Sequence, residues 1–394
     1  MFDHNLKILE KKTNVLILCG GIGNRIKRIT KKIPKPLINV NRKPFLFYIL
    51  KNLERYNYKK IYLLTHYKDN KFKEFLIKYK NRLHQNIKII HENKKLDTGG
   101  SILHAIKKIK NKLDFLILNG DTYHNFNFDF FNKRFYNLKK KIFLILVRND
   151  KQSYKLNSLY IKKNIVYHSQ SKKFINSGCY FVKNTLFKRN KIKKISFEKE
   201  ILNKLITQKK VGGMISNDSY LDIGSYRSLN KLKTFIDKNF FKKVLFIDRD
   251  NTLIEDDGYT YKINKLKLIN STLKLINKKY KNYIKIIITN QSGIGRGYYN
   301  VQQFKKFMMK LIDALNKKEL FINAIYFCPH HTQGKKLYKK NCNYRKPNIM
   351  SFLESLKKFN LRKKESIFLG NSNEDFEAAY KLKIKFSLKK IYNP

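Results

Sequence analysis

Short apolar runs recur along this 394-residue chain, and each breaks off at a polar residue or a glycine pair. In the first half they are NVLILCGG, KKIYLLTHY, NIKIIHE, DFLILNGD and KIFLILV; in the second, KKVLFIDRD, YIKIIITNQ, AIYFCPH and SIFLGN. Consecutive apolar positions over so short a length predict strands buried on both faces. The longer stretches between them read as helices. The expected class is therefore α/β, with two domains that are each a mainly parallel sheet flanked by helices. Such sheets bind ligands at the C-terminal ends of their strands. The chemically distinctive residues sit there: GG after LILC, GD after LILN, DRD after VLFI, TN after IIIT and GN after SIFL.

No repeat at a period of about 20–50 residues is found, which excludes solenoids and propellers. A seam is expected near residues 233–243, where the helical KLKTFIDKNFF runs into the strand VLFID. The domains implied are 1–235 and 243–394.

Composition narrows the class further. The length suits two domains with cores of their own, and 42% hydrophobic content argues for folded globules. No apolar run reaches the ~18 residues of a membrane span. The opening MFDHNLKILEKK has neither the apolar run nor the cleavage site of a secretion signal. Four scattered cysteines do not make a disulfide framework. A cytoplasmic protein is expected.

The formal charge of +59 suggests nucleic acid at first. However, the excess is lysine, it is spread through every segment, and it accompanies abundant Ile and Asn with no Trp. That pattern reads as compositional drift, so dedicated nucleic-acid binding is not expected. Such a field should still draw anionic small substrates. Against this background acids are informative. Five of the 28 lie within DRDNTLIEDD, a crowding that repels itself unless a metal or a substrate uses it.

In the first half GGIGNR follows a strand, and PKP comes soon after it. Glycines let backbone N–H groups approach a polyphosphate closely, while Arg25 and Lys35 supply counter-charge. No Gly-Lys-Ser/Thr follows, which excludes a Walker loop. The stretch VLILCGGIGNRIKRITKKIPKPLINVNRKPFLFYIL resembles the signature of the sugar-1-phosphate nucleotidyltransferases. LDTGGSILHAI (96–106), LNGDTY (118–123), INSGCYFV (175–182) and YLDIGSYRSL (220–229) follow in that family's order.

The resemblance covers roughly residues 13–232. It implies that Gly20, Gly21, Gly23 and Arg25 hold a nucleoside triphosphate and that Lys35 meets the reacting phosphates. Thr98, Gly99 and Gly100 belong to the substrate-binding set, Asn176 and Gly178 lie against the sugar, and Asp121 and Asp222 bind Mg²⁺. Three departures stand out. Asn24 replaces a usual Thr, Asp97 replaces a Gly, and no Glu-Lys pair precedes INSGCY, leaving Lys172 or Lys173 for that contact.

In the second half DRDNTL after VLFI resembles the opening motif of the haloacid dehalogenase superfamily. The resemblance implies an aspartate nucleophile, Asp248, and a general acid–base, Asp250. Thr289 and Lys346 would neutralise the phosphoryl group. GNSNED stands where an acidic metal motif belongs, so Asp248, Asp250, Asn371 and Asp375 are the expected Mg²⁺ set. TNQSGIGRGYY (289–299), followed by CPHH and RKP, is similar to the heptose-bisphosphate and histidinol-phosphate phosphatases, over roughly residues 243–385. Asn290, Arg296 and Arg345 are then expected to grip the substrate. Asn251 replaces a Gly that favours left-handed backbone, which Asn tolerates well. Asn371 replaces an Asp, removing one charge.

Cys328, His330 and Cys342 stand at ligand-like spacing for Zn²⁺. In the family a Cys occupies the place of Tyr344, so the expected set is three protein ligands, with His331 or water as the fourth. The pairing of the two halves implies a bifunctional enzyme of nucleotide-heptose synthesis. Its phosphatase would remove the 7-phosphate of D-glycero-D-manno-heptose 1,7-bisphosphate. Its transferase would then activate the 1-phosphate, with GTP favoured as donor. The alternatives are a single-function nucleotidyltransferase carrying a degenerate phosphatase domain, and a basic nucleic-acid-binding protein. Oligomeric state is not legible.

Overall fold

Every apolar run quoted above forms a strand. The computed structural model describes all residues except 1–2, 10, 22, 84–85, 139, 149–157, 170–173, 188–191 and 389–394. The chain divides into one unit of Lys11–Asn239 and another of Met1–Glu10 with Phe240–Pro394. The sequence reading had assigned the first ten residues to the amino-terminal domain.

The 11–239 unit carries β1 (Lys11–Leu18), the short β2 (Asn39–Val40) and β3 (Lys43–Pro44), β4 (Tyr58–Thr65), β5 (Ile87–His91) and β6 (Asp114–Asn119). Next come β7 (Thr122–His124), β8 (Ile142–Arg148), β9 (Ser158–Lys162), β10 (Ile165–Ser169), β11 (Phe174–Val182), β12 (Val211–Ile215) and β13 (Tyr220–Asp222). Nine strands form one sheet in the order β5-β4-β1-β6-β11-β8-β12-β10-β9. β1 lies between β4 and β6, parallel to both. Val15, Leu16 and Ile17 are fully buried, as the uninterrupted apolar run requires. β11 enters antiparallel between β6 and β8. A separate ribbon pairs β7 with β13.

The other unit holds a five-stranded sheet in the order β16-β15-β14-β17-β18. Its strands are β14 (Val244–Ile247), β15 (Ile284–Asn290), β16 (Ala324–Cys328), β17 (Ile367–Gly370) and β18 (Lys385–Leu388). All four pairings are parallel. Alternate residues feed two cores. Leu245, Ile247, Ile287 and Leu369 join one face with helix Val301–Lys317, and Val244, Phe246, Ile286 and Phe368 join the other.

Residues 4–6 pair antiparallel with the outer edge of β16, through Leu6 N–H to the Ile325 carbonyl (2.8 Å) and Phe327 N–H to the His4 carbonyl (3.0 Å). Leu6 enters the first core. The edge of the sheet is thereby covered. Among the described residues no helix is long and apolar enough to cross a membrane.

Candidate active sites and a candidate metal centre

In the 11–239 unit a cavity of about 570 Å³ lies at the C-terminal ends of β1 and β6. Gly20, Gly21, Gly23, Lys35, Thr98 and Asp121 line it, six of the residues expected from sequence. Gly23 adopts a φ of 74°, and a Cβ there would sit 2.8 Å from Thr30 Cγ2. The turn therefore needs glycine for its backbone and for its space. Lys35 Nζ lies 2.7 Å from Asp121 Oδ2. The ribbon register sets Asp222 opposite Thr122, and the Ile223 N–H donates to the Asp121 carbonyl, which brings Asp121, just before β7, close to Asp222 at the end of β13. Arg25 is exposed, and its Nη2 reaches towards Gly224 beside the Asp222 carboxylate.

Gly99 and Gly100 have a different role from the expected one. Both N–H groups donate to the Ile195 carbonyl, and a Cβ on Gly100 would meet the Lys193 carbonyl at 2.3 Å. They let the helix Asp97–Ile109 approach the 193–197 segment and do not line the cavity. Asp97, in place of a glycine, has a φ of 55°. Asn176 donates to the Tyr180 hydroxyl (2.6 Å) and accepts from Gly178 N–H (2.8 Å). Tyr180 leads on to Glu198, which also accepts from the Thr98 hydroxyl at 2.7 Å. Glu198 lines the cavity and was missed; the scarcity of acids in this chain was the available signal. Glu92 was missed too. Burial raises its carboxyl above the ordinary range, against the hydrogen bond from Ser101. Lys172 and Lys173 lie outside the described residues.

The second site stands at the ends of β14, β15 and β17. Asp248 follows β14, and Lys346 Nζ lies 2.5 Å from its Oδ1 and 2.6 Å from Asp375 Oδ1. The three side chains are 8%, 4% and 0% exposed, so the ion triad is dry. Burial pushes the Asp248 carboxyl up to about 7; Asp375 and Asp250 add to the rise and Lys346 opposes it. Burial works against the charge on Lys346, but the two carboxylates outweigh it and hold the ammonium above its ordinary range.

Asp250 is aimed by Arg249 Nε (2.7 Å) and Gln291 Nε2 (2.9 Å). Gln291 also donates to Thr289 Oγ1 and accepts from the Tyr299 hydroxyl. Burial raises the Asp250 carboxyl, against the pull of Arg249. Arg249, Gln291 and Tyr299 were not foreseen, because an arginine buried between two aspartates has no period or motif of its own. Asn251 takes a φ of 50°, the conformation anticipated for it.

Asp375 departs from its expected role as a cation ligand. Its Oδ1 faces Lys346, and its Oδ2 accepts from the backbone N–H groups of Asn371 and Ser372. It fixes the lysine and the start of helix Asn373–Leu382 instead. Asn371 Oδ1 meets the Thr252 hydroxyl at 3.3 Å. Asn290 exchanges two hydrogen bonds with the Lys346 backbone, holding that residue in place. Arg296 is tied to Gln333, and Arg345 to the His330 carbonyl. A cleft of about 190 Å³ opens beside Asp250, Asn290 and Tyr299.

The cysteine–histidine loop gathers more than was expected. Cys328, His330 and Cys342 are joined by His4, all four buried, with their donor atoms within 4.8 Å of one another. His331 is not among them. Its Nδ1 accepts from Gln333 N–H, and its other ring nitrogen faces Arg296. His4 lies more than 300 residues away in sequence, and only the pairing of residues 4–6 with β16 brings it here.

Comparison with known proteins agrees with this division. Residues 14–239 match the family described as Nucleotidyl transferase, and residues 243–388 match Polynucleotide kinase 3 phosphatase. The D-glycero-beta-D-manno-heptose-1,7-bisphosphate 7-phosphatase of Haemophilus influenzae is 35% identical over 147 residues, 37% of this chain and 80% of that protein. The crystal structure of HddC from Yersinia pseudotuberculosis is 29% identical, covers 57% of this chain and 99% of its own, and superposes with a TM-score of 0.51. The same protein complexed with GMP-PN is 28% identical over the same shares, with a TM-score of 0.50.

Proposed function

The chain belongs to the nucleotidyl transferase family and to that of the heptose-bisphosphate 7-phosphatases, and from that premise we propose that it performs two consecutive steps of nucleotide-heptose synthesis. The phosphatase unit converts D-glycero-D-manno-heptose 1,7-bisphosphate to the 1-phosphate. The transferase unit then joins that product to a nucleotide, with GTP as donor. GTP is favoured because the HddC relative was solved with GMP-PN.

In the phosphatase unit the Asp248 carboxylate attacks the phosphorus of the 7-phosphate, and the bond to the sugar oxygen breaks. Asp250 gives its proton to that leaving oxygen. It then takes a proton from water, which attacks the aspartyl-phosphate and releases inorganic phosphate. Lys346 and Thr289 hold the phosphoryl oxygens, and Arg249 and Gln291 keep Asp250 on line. In the transferase unit a phosphate oxygen of the heptose 1-phosphate attacks the α-phosphorus of GTP, and pyrophosphate leaves. Gly20, Gly21 and Gly23 present backbone N–H groups to the triphosphate, and Arg25 and Lys35 neutralise it. Asn176 and Gly178 border the sugar.

Mg²⁺ suits the oxygen donors of both units: Asp121 with Asp222, and Asp248 with Asp250 and the Asn371 amide oxygen. When bound it offsets phosphate charge and orients the reacting oxygens. Cys328, His330 and Cys342 would hold Zn²⁺ as a structural ion, outside the chemistry. The single observation that carries the phosphatase reading is Lys346, held between Asp248 and Asp375 at the strand ends.

The test uses full-length protein with heptose 1,7-bisphosphate, GTP and Mg²⁺. Both phosphate and pyrophosphate should appear. Asp248→Asn should stop phosphate release, by roughly a thousandfold or more, while transfer to supplied heptose 1-phosphate survives. Phosphate release that persists in Asp248→Asn removes the assigned nucleophile. Pyrophosphate from supplied 1-phosphate with no phosphate release from wild type selects the single-function alternative.

A further inference from the structure

The segment before the transferase unit ends in the phosphatase unit's cysteine–histidine cluster, and its imidazole is set up as a ligand. His4 Nδ1 lies 2.9 Å from the Phe327 carbonyl oxygen. A carbonyl only accepts, so Nδ1 carries the ring proton and Nε2 keeps a lone pair. That Nε2 faces Cys342 Sγ at 3.8 Å. On the other side His330 Nδ1 lies 3.2 Å from Cys342 Sγ and 3.7 Å from Cys328 Sγ.

A tetrahedral zinc with bonds of about 2.3 Å to sulfur and about 2.0 Å to nitrogen places neighbouring donors about 3.6 Å apart. The observed separations bracket that spacing. Two cysteines and two histidines make a set that takes zinc in preference to hard cations. Tyr344 explains how the fourth ligand is held. Its ring stacks on His4 with centroids 4.0 Å apart and planes 4° apart, and its hydroxyl donates to Glu354. The imidazole is thus fixed by a carbonyl at its edge and a phenol ring on its face.

We propose that His4, Cys328, His330 and Cys342 form a structural zinc site in which the fourth ligand comes from the segment that precedes the transferase unit. The ion fastens that segment to the edge of β16 and braces the loop that leads to Lys346. Residues 3–9 therefore act as part of the phosphatase unit, although the whole transferase unit separates them from it in sequence. This inference rests on the cluster's geometry and stands whether or not the substrate is a heptose.

The test is metal analysis of the full-length protein, purified without chelators and then equilibrated with Zn²⁺ and desalted. One zinc per chain is expected. His4→Gln should lose most of it, His4→Cys should retain it, and His331→Gln should match wild type. Cobalt substitution supplies an independent readout: the visible bands of a tetrahedral site with two thiolates are expected in wild type. They should weaken in His4→Gln and shift in His4→Cys as a third thiolate enters. If His4→Gln is too unstable to purify, the His4→Cys spectrum still decides, because an unshifted spectrum means that residue 4 is not a ligand. Chelation of the wild type should lower the phosphatase unit's melting temperature by roughly 5 °C or more. Absence of stoichiometric zinc, wild-type zinc in His4→Gln, or zinc lost in His331→Gln each overturns the assignment.

Discussion

The two active regions of this chain solve the same electrostatic problem, the handling of phosphate, in opposite ways. In the phosphatase unit the charges are already packed together, with Asp248, Lys346 and Asp375 in contact and almost wholly buried. In the transferase unit they line a cavity of about 570 Å³, with Lys35 and Asp121 in contact across it. The proposed chemistry accounts for the difference. A covalent nucleophile must be fixed before the substrate arrives, and only one phosphoryl group has to fit beside it. Direct transfer between two substrates needs room for both, and catalysis comes from placing them. One site stores order in the protein; the other leaves it to the ligands.

The sharpest way to break this contrast is Lys346→Met. It leaves two buried carboxylates without their counter-charge, so about 3–5 kcal/mol of the phosphatase unit's stability should be lost in chelator. Chemical denaturation measures this, and a loss below about 1 kcal/mol contradicts a dry triad. The matching change, Lys35→Gln, leaves a partner carboxylate, Asp121, that is 26% exposed, so its stability loss should be clearly smaller than that of Lys346→Met, while pyrophosphate release falls roughly a hundredfold. Phosphate release should not move.

The third effect is a pH dependence of the transferase unit's stability. His124 is buried with Nε2 2.8 Å from the Ser177 carbonyl, and burial pushes it down to about 4. Its folded value lies below its ordinary 6.5, so the unfolded chain takes up the proton first. The stabilisation is complete above pH ~6.5 and is lost as pH falls towards ~4, by up to about 3 kcal/mol. Urea midpoints across that range should fall in wild type and flatten in His124→Gln. The smallest effect is at Asn251, whose φ of 50° suits Asn or Gly. Asn251→Ala should be about 1 kcal/mol less stable than Asn251→Gly; equal stabilities would mean that the loop relaxes freely.

Local rules predicted much of this. Uninterrupted apolar runs predicted parallel strands because burial on both faces leaves no room for alternation, and residues such as Val15, Leu16 and Ile17 are indeed fully buried. The antiparallel entry of β11 between β6 and β8 was not legible, since strand direction leaves no mark on composition. Motif order placed Asp248, Asp250, Thr289 and Lys346 around one strand end, and Gly20, Gly21, Gly23, Lys35 and Asp121 around another. It did not reveal what aims them. Arg249, Gln291 and Tyr299 hold Asp250, and Glu198 links Asn176's partner Tyr180 to Thr98.

The cysteine loop marks the boundary between the two kinds of information. Sequence alone determined that Cys328, His330 and Cys342 could converge, because all three belong to one loop region whose spacing is local. The family resemblance marked Asp97 and Asn251 as standing where glycine is usual; left-handed backbone was anticipated for Asn251 alone, and both residues have positive φ. Only the tertiary structure set Asp375 against Lys346, tied His331 to Gln333 and Arg296, and brought in His4. Each of those depends on which backbone groups satisfy one another across the fold. His4 stands in the cluster because residues 4–6 complete the edge of β16, a pairing between segments that share no sequence signal.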